Sequence, residues 1–175
     1  MRRLLLFRHA KATRSGRGIE DRPRALVDRG RKDSATIGAY LVADALIPDR
    51  VLVSPAIRTQ ETWKFAAPEF RTVIDTHTAE QLYDATPEAI MAVIKQTSAL
   101  VHNLLVIAHN PGLHELALML AVSGNATARA QLKEKLPTAG LVIIEFAFDD
   151  WRELRPSGRL ERYVTPKLLS AGNDR

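Results

Sequence analysis

The chain has 175 residues, 46% of them hydrophobic and 26% charged, which suits one globular domain with a substantial core. It contains no cysteine, so a disulfide framework and a thiolate metal site are both excluded. The net charge of +5 and sequence pI of about 9.8 favour anionic partners without naming one.

The apolar run LLLF near the start is too short for a secretory signal, and LVIIEFAF at 141–148 is broken by Glu145 and too short to span a bilayer. A cytoplasmic protein with no membrane association is expected. Arg3 to His9 reads as a first strand. It runs into the basic loop RHAKATRSGRG, which carries Arg8, Lys11, Arg14 and Arg17 before any acid appears. A helix is predicted from about Asp28 to Ala45, with Ala35, Gly38, Leu41, Val42 and Ala45 on one face. RVLVS at 50–54 is a second strand. Ser54-Pro55 then reads as an N-cap followed by a first-turn proline, opening a helix from about Ala56 to Ala66. TVID at 72–75 is a short third strand. Thr86-Pro87 repeats the cap signal before a helix to about Thr97. LLVIAH at 104–109 is a fourth strand, apolar as a strand covered on both faces should be. Asn110-Pro111 gives the cap signal a third time, before a helix from Gly112 to about Val122. Further on, LVIIEFAF, an Asp149-Asp150 turn and WRELRP read as a hairpin, and RLERYV as another short strand. SAGNDR at 170–175 reads as a frayed tail. No repeat or linker divides the chain, so a single domain over 1–175 is expected.

Strands alternating with helices predict an α/β fold with a mostly parallel central sheet and antiparallel strands at an edge. In such sheets ligands bind along the rim formed by the carboxyl ends of the parallel strands. His9 ends the first strand, Arg58 opens the helix after the second, Glu80 follows the third, and His109 ends the fourth. Each alone has an ordinary structural role. Together, two arginines (Arg8 and Arg58), two histidines and helix N-termini suit a phosphoryl group, whose oxygens accept paired bonds from the planar guanidinium. An arginine in a first helical turn also meets like partial charge unless an anion joins it.

Other constellations are missing. There is no G-x-x-x-x-G-K-[ST] and no G-x-S-x-G, and Gly16-Arg17-Gly18 lacks the third glycine of a dinucleotide fingerprint. His109 and His114 are five apart and belong to no three-ligand metal set. Aromatic residues are only 6%, without the basic-aromatic interleaving that stacking on bases needs, so no nucleic acid is expected.

Arg8-His9-Ala10 at the end of the first strand resembles the RHG or RHA signature of the histidine phosphatase superfamily, which includes phosphoglycerate mutase. The likeness extends through DRPRALVDRGRKDS, RVLVSPAIRTQET, EQLYDATPE, LLVIAHNPGLHELA and LPTAG, which resemble the short bacterial phosphohistidine phosphatase branch. It implies a three-layer α/β/α sandwich of phosphoglycerate mutase type. It implies His9 as the phosphorylated nucleophile, with Arg8, Arg58 and His109 holding the phosphoryl oxygens. Glu80, three residues before Tyr83, falls where the proton donor lies. Lys11, Arg14 and Asn110 become candidate substrate contacts. Ala10 replaces the commoner glycine, a departure that bears on a mutase assignment more than on phosphatase chemistry. No metal and no cofactor are implied, because arginines supply the positive charge. The implied partner is a phosphorylated protein carrying phosphohistidine, with a small phosphate ester as the alternative substrate and a non-catalytic anion-binding module as the alternative class. On this reading Arg8, Arg58 and a protonated His109 keep His9 neutral, and its second ring nitrogen donates to a backbone carbonyl.

Overall fold

The opening apolar run forms strand β1 (Arg2–Arg8) in the computed structural model, which describes residues 1–173. Then come α1 (Asp28–Ala43), β2 (Arg50–Val53), α2 (Ile57–Ala66), β3 (Asp75–Thr78), α3 (Pro87–Lys95) and β4 (Asn103–Ala108). They are followed by α4 (Gly112–Leu120), β5 (Ala121–Gly124), α5 (Ala126–Glu134), β6 (Leu141–Phe146), β7 (Gly158–Val164) and α6 (Pro166–Asn173). The strands make one seven-stranded sheet in the order β3-β2-β4-β1-β6-β7-β5. β1 to β4 pair in parallel, as do β5 and β7. The antiparallel pairings are those of β6 with β1 and with β7, two strands in from that side of the sheet.

Both faces of the sheet are covered, which is why its central strands read as unbroken apolar runs. Side chains alternate between two cores. Leu4, Leu6, Leu104, Val106, Val142 and Ile144 face one, where α3, α4 and α5 pack with Ile90, Leu116 and Leu132. Leu5, Phe7, Leu105, Ile107, Leu141 and Ile143 face the other, with Ile37 and Leu41 of α1 and Ala66 of α2. Leu4, Leu5, Leu6 and Phe7 are all fully buried. Each such side chain contributes about 1.5–3 kcal/mol, so β1 anchors both layers.

Several elements differ from the sequence reading. α1 buries Gly30, Ser34, Ile37, Gly38 and Leu41, whereas Ala45 is exposed beyond its end. Gly38 faces the Ala66 backbone, where a Cβ would have no room, and this close approach chooses the face. The third strand is Asp75–Thr78, three residues later than TVID. All four of its residues are exposed at the sheet edge, so hydropathy does not mark it. β5 and α5 carry no strong sequence signal, because α5 buries only Ala128 and Leu132. WRELRP is not a strand. Trp151–Glu153 is a 3₁₀ turn that buries the Trp151 ring and donates its indole N–H to the Val101 carbonyl at 2.8 Å. β7 is the true hairpin partner of β6. The predicted frayed tail is helical through Asn173, and residues 174–175 lie outside the described residues. No helix among the described residues is long and apolar enough to cross a membrane.

The chain leaves β1 towards the α1 layer but leaves β4 towards the opposite, α4 layer. β1 and β4 are neighbours, with Arg8 beside Ala108. Their divergent exits open a crevice at the carboxyl ends of the parallel strands, where ligands of open α/β sheets bind.

Candidate active site

His9 is the first residue beyond β1, and its N–H donates to the Ala108 carbonyl at 3.2 Å. His109 follows β4 directly, so neighbouring strands place the two rings 5.4 Å apart between centroids. Both histidines are buried, at 8% and 5% exposure. Nδ1 of His9 lies 2.8 Å from the Ala10 carbonyl oxygen. A carbonyl only accepts, so Nδ1 carries the proton and Nε2 holds a lone pair. The Ala10 N–H in turn donates to Oγ1 of Thr62 at 3.0 Å, and that hydroxyl donates to the Arg58 carbonyl at 2.6 Å. The buried Thr62 thereby ties the loop after β1 to the first turn of α2.

A cleft of about 630 Å³ lies over these residues, lined by Arg8, His9, Lys11, Arg14, Arg58, His109 and Asn110. Of the residues singled out from the sequence, only Glu80 does not line it. Its carboxylate takes a 2.8 Å bond from Arg22, in a pair that is largely exposed. Arg22 in turn lies over the Tyr83 ring, 4.5 Å from its centroid. Glu80 thus lies off the cleft lining, paired with Arg22.

Ser54 and Asn110 do not cap the helices that follow them. The residues at those cap positions are Ala56 and Pro111, without side-chain caps. Ser54 lies two residues too early and its hydroxyl bonds Nε2 of His109 at 2.6 Å. The Asn110 amide donates to the Leu136 carbonyl at 2.8 Å, and Arg8 Nη1 donates to the same oxygen at 3.0 Å. Thr86 is a true cap, accepting from the Ala89 N–H.

Asp21 was not anticipated. Its Oδ2 accepts from Arg58 at 2.9 Å and from the Tyr83 hydroxyl at 2.6 Å, and its Oδ1 accepts twice from Arg24. Its backbone carbonyl takes a further bond from Arg58 Nη1 at 2.9 Å. Burial acts to raise the Asp21 carboxyl, but the bonds from Tyr83, Arg24 and Arg58 outweigh it and hold the group well below the usual carboxylate range. The only sequence hint was its place within DRPR, directly after the basic loop. Arg24, Tyr83, Asp84 and Thr138 also line the cleft.

Burial pushes His9 down to about 3, opposed by its bond to Ala10 and reinforced by His109, Arg58 and Arg8. Burial and then the Arg58 charge push His109 down to about 4. The expected protonated His109 is thus corrected: at neutral pH, in the protein alone, both rings are uncharged. Burial and Arg58 also lower Arg8, though an arginine in a protein remains a cation. Among the described residues, no three histidine or carboxylate side chains group as metal ligands would. The arrangement presents a nitrogen lone pair flanked by fixed cations, which suits attack on an anionic phosphorus centre and stabilisation of its oxygens.

No family model matches the chain. It is 35% identical over 154 residues to an uncharacterized protein of Mycobacterium tuberculosis, covering 86% of this chain and 92% of the relative. A candidate phosphohistidine phosphatase, SixA, from Agrobacterium tumefaciens superposes with a TM-score of 0.78 at 25% identity, over 94% of this chain and 98% of that one. The protein histidine phosphatase SixA complexed with tungstate superposes with a TM-score of 0.74 at 20% identity, over 95% and 99% of the two chains, a likeness of fold. With RHA at the end of β1, HNPG directly after β4 and the same three-layer architecture, the chain belongs to the histidine phosphatase superfamily, phosphoglycerate mutase-like in fold, beside its SixA-like members.

Proposed function

We propose that the protein is a metal-independent phosphatase that takes a phosphoryl group onto Nε2 of His9 and passes it to water, with protein phosphohistidine as its substrate. One observation carries the reading: His9 is buried and neutral, its Nδ1 proton is committed to Ala10, and its free Nε2 belongs to a cleft lined by Arg8, Arg58 and His109. A module that only binds anions needs the cations but has no use for a positioned lone pair.

The chemistry follows from these charges. Nε2 attacks phosphorus in line, and a P–N bond forms as the bond to the leaving group breaks. Arg8 and Arg58 stabilise charge on the equatorial oxygens, and in phosphoryl transfer such electrostatic stabilisation and positioning do most of the catalysis. Water then displaces His9, releasing inorganic phosphate and the neutral ring.

The leaving group favours phosphohistidine over an alkyl ester. An alkoxide needs an acid within hydrogen-bond reach. Glu80 lies outside the cleft, and Asp21 is held ionised by its partners. An imidazole leaving group is protonated near neutral pH and departs without such an acid.

The test is a panel of phosphohistidine proteins, sugar phosphates and nucleotides, all with EDTA present. Rapid quenching should trap an acid-labile phosphoryl group on His9 during phosphohistidine turnover, and His9→Ala should abolish both. Turnover surviving in His9→Ala refutes the covalent route. Turnover restricted to sugar phosphates or nucleotides refutes the substrate assignment.

A further inference from the structure

The correction at His109 raises a question of mechanism. A neutral histidine beside a phosphoryl group either donates a hydrogen bond to it or turns a lone pair against it, depending on which ring nitrogen carries the proton. Ser54 bears directly on that choice.

Ser54 ends the second strand's run and is fully buried. Its backbone is committed elsewhere: the N–H donates to the Ile107 carbonyl, and the carbonyl accepts from Thr59 Oγ1 and the Gln60 amide. The hydroxyl has one partner, Nε2 of His109 at 2.6 Å. Nδ1 of His109 is buried and has no partner in the protein. With Nε2 turned to Ser54, Nδ1 is the ring nitrogen left without a partner, in a residue that lines the cleft.

Two arrangements fit the Ser54 contact. If Nε2–H donated to Oγ, the hydroxyl proton would have no acceptor in a site without water access, which costs free energy. Nδ1 would then set a lone pair against the oxygens of an arriving phosphoryl group. If the hydroxyl donates to Nε2, its proton is satisfied and the one group left unpaired is the Nδ1–H, which a phosphoryl oxygen would satisfy, whereas the other arrangement leaves both the hydroxyl proton and the Nδ1 lone pair unpaired.

We infer that Ser54 is a positioning residue: its hydroxyl donates to Nε2 of His109 and fixes the ring as the neutral Nδ1–H tautomer, so that His109 is a hydrogen-bond donor to the bound phosphoryl group, an inference that rests on the phosphatase reading above. The site then gains a donor without gaining a further positive charge beside its arginines. It also explains how His109 serves an anion although burial and Arg58 keep it uncharged.

The test is ¹⁵N NMR of the histidine-labelled protein at pH 7, with His109→Gln used to assign the signal. Wild type should show a protonated Nδ1 and a bare Nε2 at His109, and addition of inorganic phosphate should shift the Nδ1 proton downfield. Ser54→Ala should convert the ring wholly or partly to the Nε2–H form and weaken phosphate binding about tenfold or more, as loss of a bond to a charged group does. A wild-type ring protonated at Nε2, or at both nitrogens, overturns the inference without any variant. So does a phosphate titration that leaves the Nδ1 proton unmoved, or a folded Ser54→Ala protein that keeps the Nδ1–H form. If the tautomer and the phosphate shift appear but no phosphoenzyme ever forms, the phosphatase reading fails and the role of Ser54 stands.

Discussion

The two buried histidines should make the protein sensitive to mild acid. In the unfolded chain each takes up a proton as pH falls through about 6.5, the ordinary histidine value. In the folded protein they resist protonation down to about 3 for His9 and about 4 for His109. Between those limits the unfolded state binds more protons, so stability present above pH 6.5 is lost as pH falls towards 4. At pH 5 each histidine is about 1.5 pH units below its unfolded value, a loss of about 2 kcal/mol each and about 4 kcal/mol for the pair. That is a large share of the 5–15 kcal/mol typical of a domain.

The assay is urea unfolding at pH 7.5 and pH 5 in phosphate-free buffer, on wild type and on His9→Asn/His109→Gln. Asparagine can keep the bond to Ala10, and glutamine can keep the bond to Ser54. Asp33 and Glu161, whose carboxyls burial raises, titrate alike in both proteins and cancel in the comparison. The variant should lose about 4 kcal/mol less than wild type between the two pH values. Losses that agree within about 1 kcal/mol, near the error of such extrapolations, would refute the reasoning. The same depressed values imply that phosphoryl capture by His9 persists at pH 5 in whatever fraction stays folded.

Arg58→Ala should lower turnover about 10²–10³-fold, as loss of one donor to a charged transition state does, measured as kcat/KM on phosphohistidine. Glu80→Gln should leave turnover within about twofold on every substrate that the enzyme accepts, because an exposed ion pair contributes little and Glu80 lies off the cleft. Gly30→Ala should destabilise by about 1–3 kcal/mol in urea unfolding, an overpacking cost. A Cβ there would overlap the Lys11 carbonyl, so phosphoenzyme formation should slow as well, measured by rapid quench.

Much of the architecture was legible because the sheet is covered on both sides. A strand buried on two faces is apolar along its central run, so β1, β2, β4 and β6 announce themselves. β3 buries none of its residues and takes its place from backbone pairing with β2, which hydropathy cannot report. Trp151 misled for a related reason. An aromatic followed by alternating residues resembles a strand, but here one deeply buried ring closes a turn. Sheet order was beyond local signals altogether, since the adjacency of β1 and β4 joins segments a hundred residues apart.

That His9, Arg8, Arg58 and His109 gather at one cleft was legible because each stands at or beside a strand–helix junction, where side chains reach the rim. The placement of Glu80 was not, because motif position says nothing about which way a loop carboxylate turns. Ser54 and Asn110 show how one signal can carry two meanings. Ser-Pro and Asn-Pro read as caps, just as Thr86-Pro87 does, yet only the threonine caps. The other two spend their side chains on His109 and on the carbonyl that also orients Arg8.

Asp21 was invisible for a stronger reason, and it bears on how the cleft receives an anion. Arg8, Arg24 and Arg58 line one cleft, and like charges held together in a protein repel. Asp21 answers this by accepting from two of them. Its carboxylate also offers what a phosphoryl group offers: oxygens matched to a guanidinium fork. Arg58 is held twice, and the two bonds differ. Nη1 goes to the Asp21 backbone carbonyl, whereas Nη2 goes to the Asp21 carboxylate, and Nε is buried without a partner. Nε and Nη2 form one edge of the guanidinium. On the phosphatase reading proposed above, a phosphoryl group takes that edge by displacing a single carboxylate oxygen, while the backbone bond keeps the arginine in place. The cost of ordering Arg58 is therefore met before substrate arrives, and only the exchange of one anionic oxygen for another remains at binding.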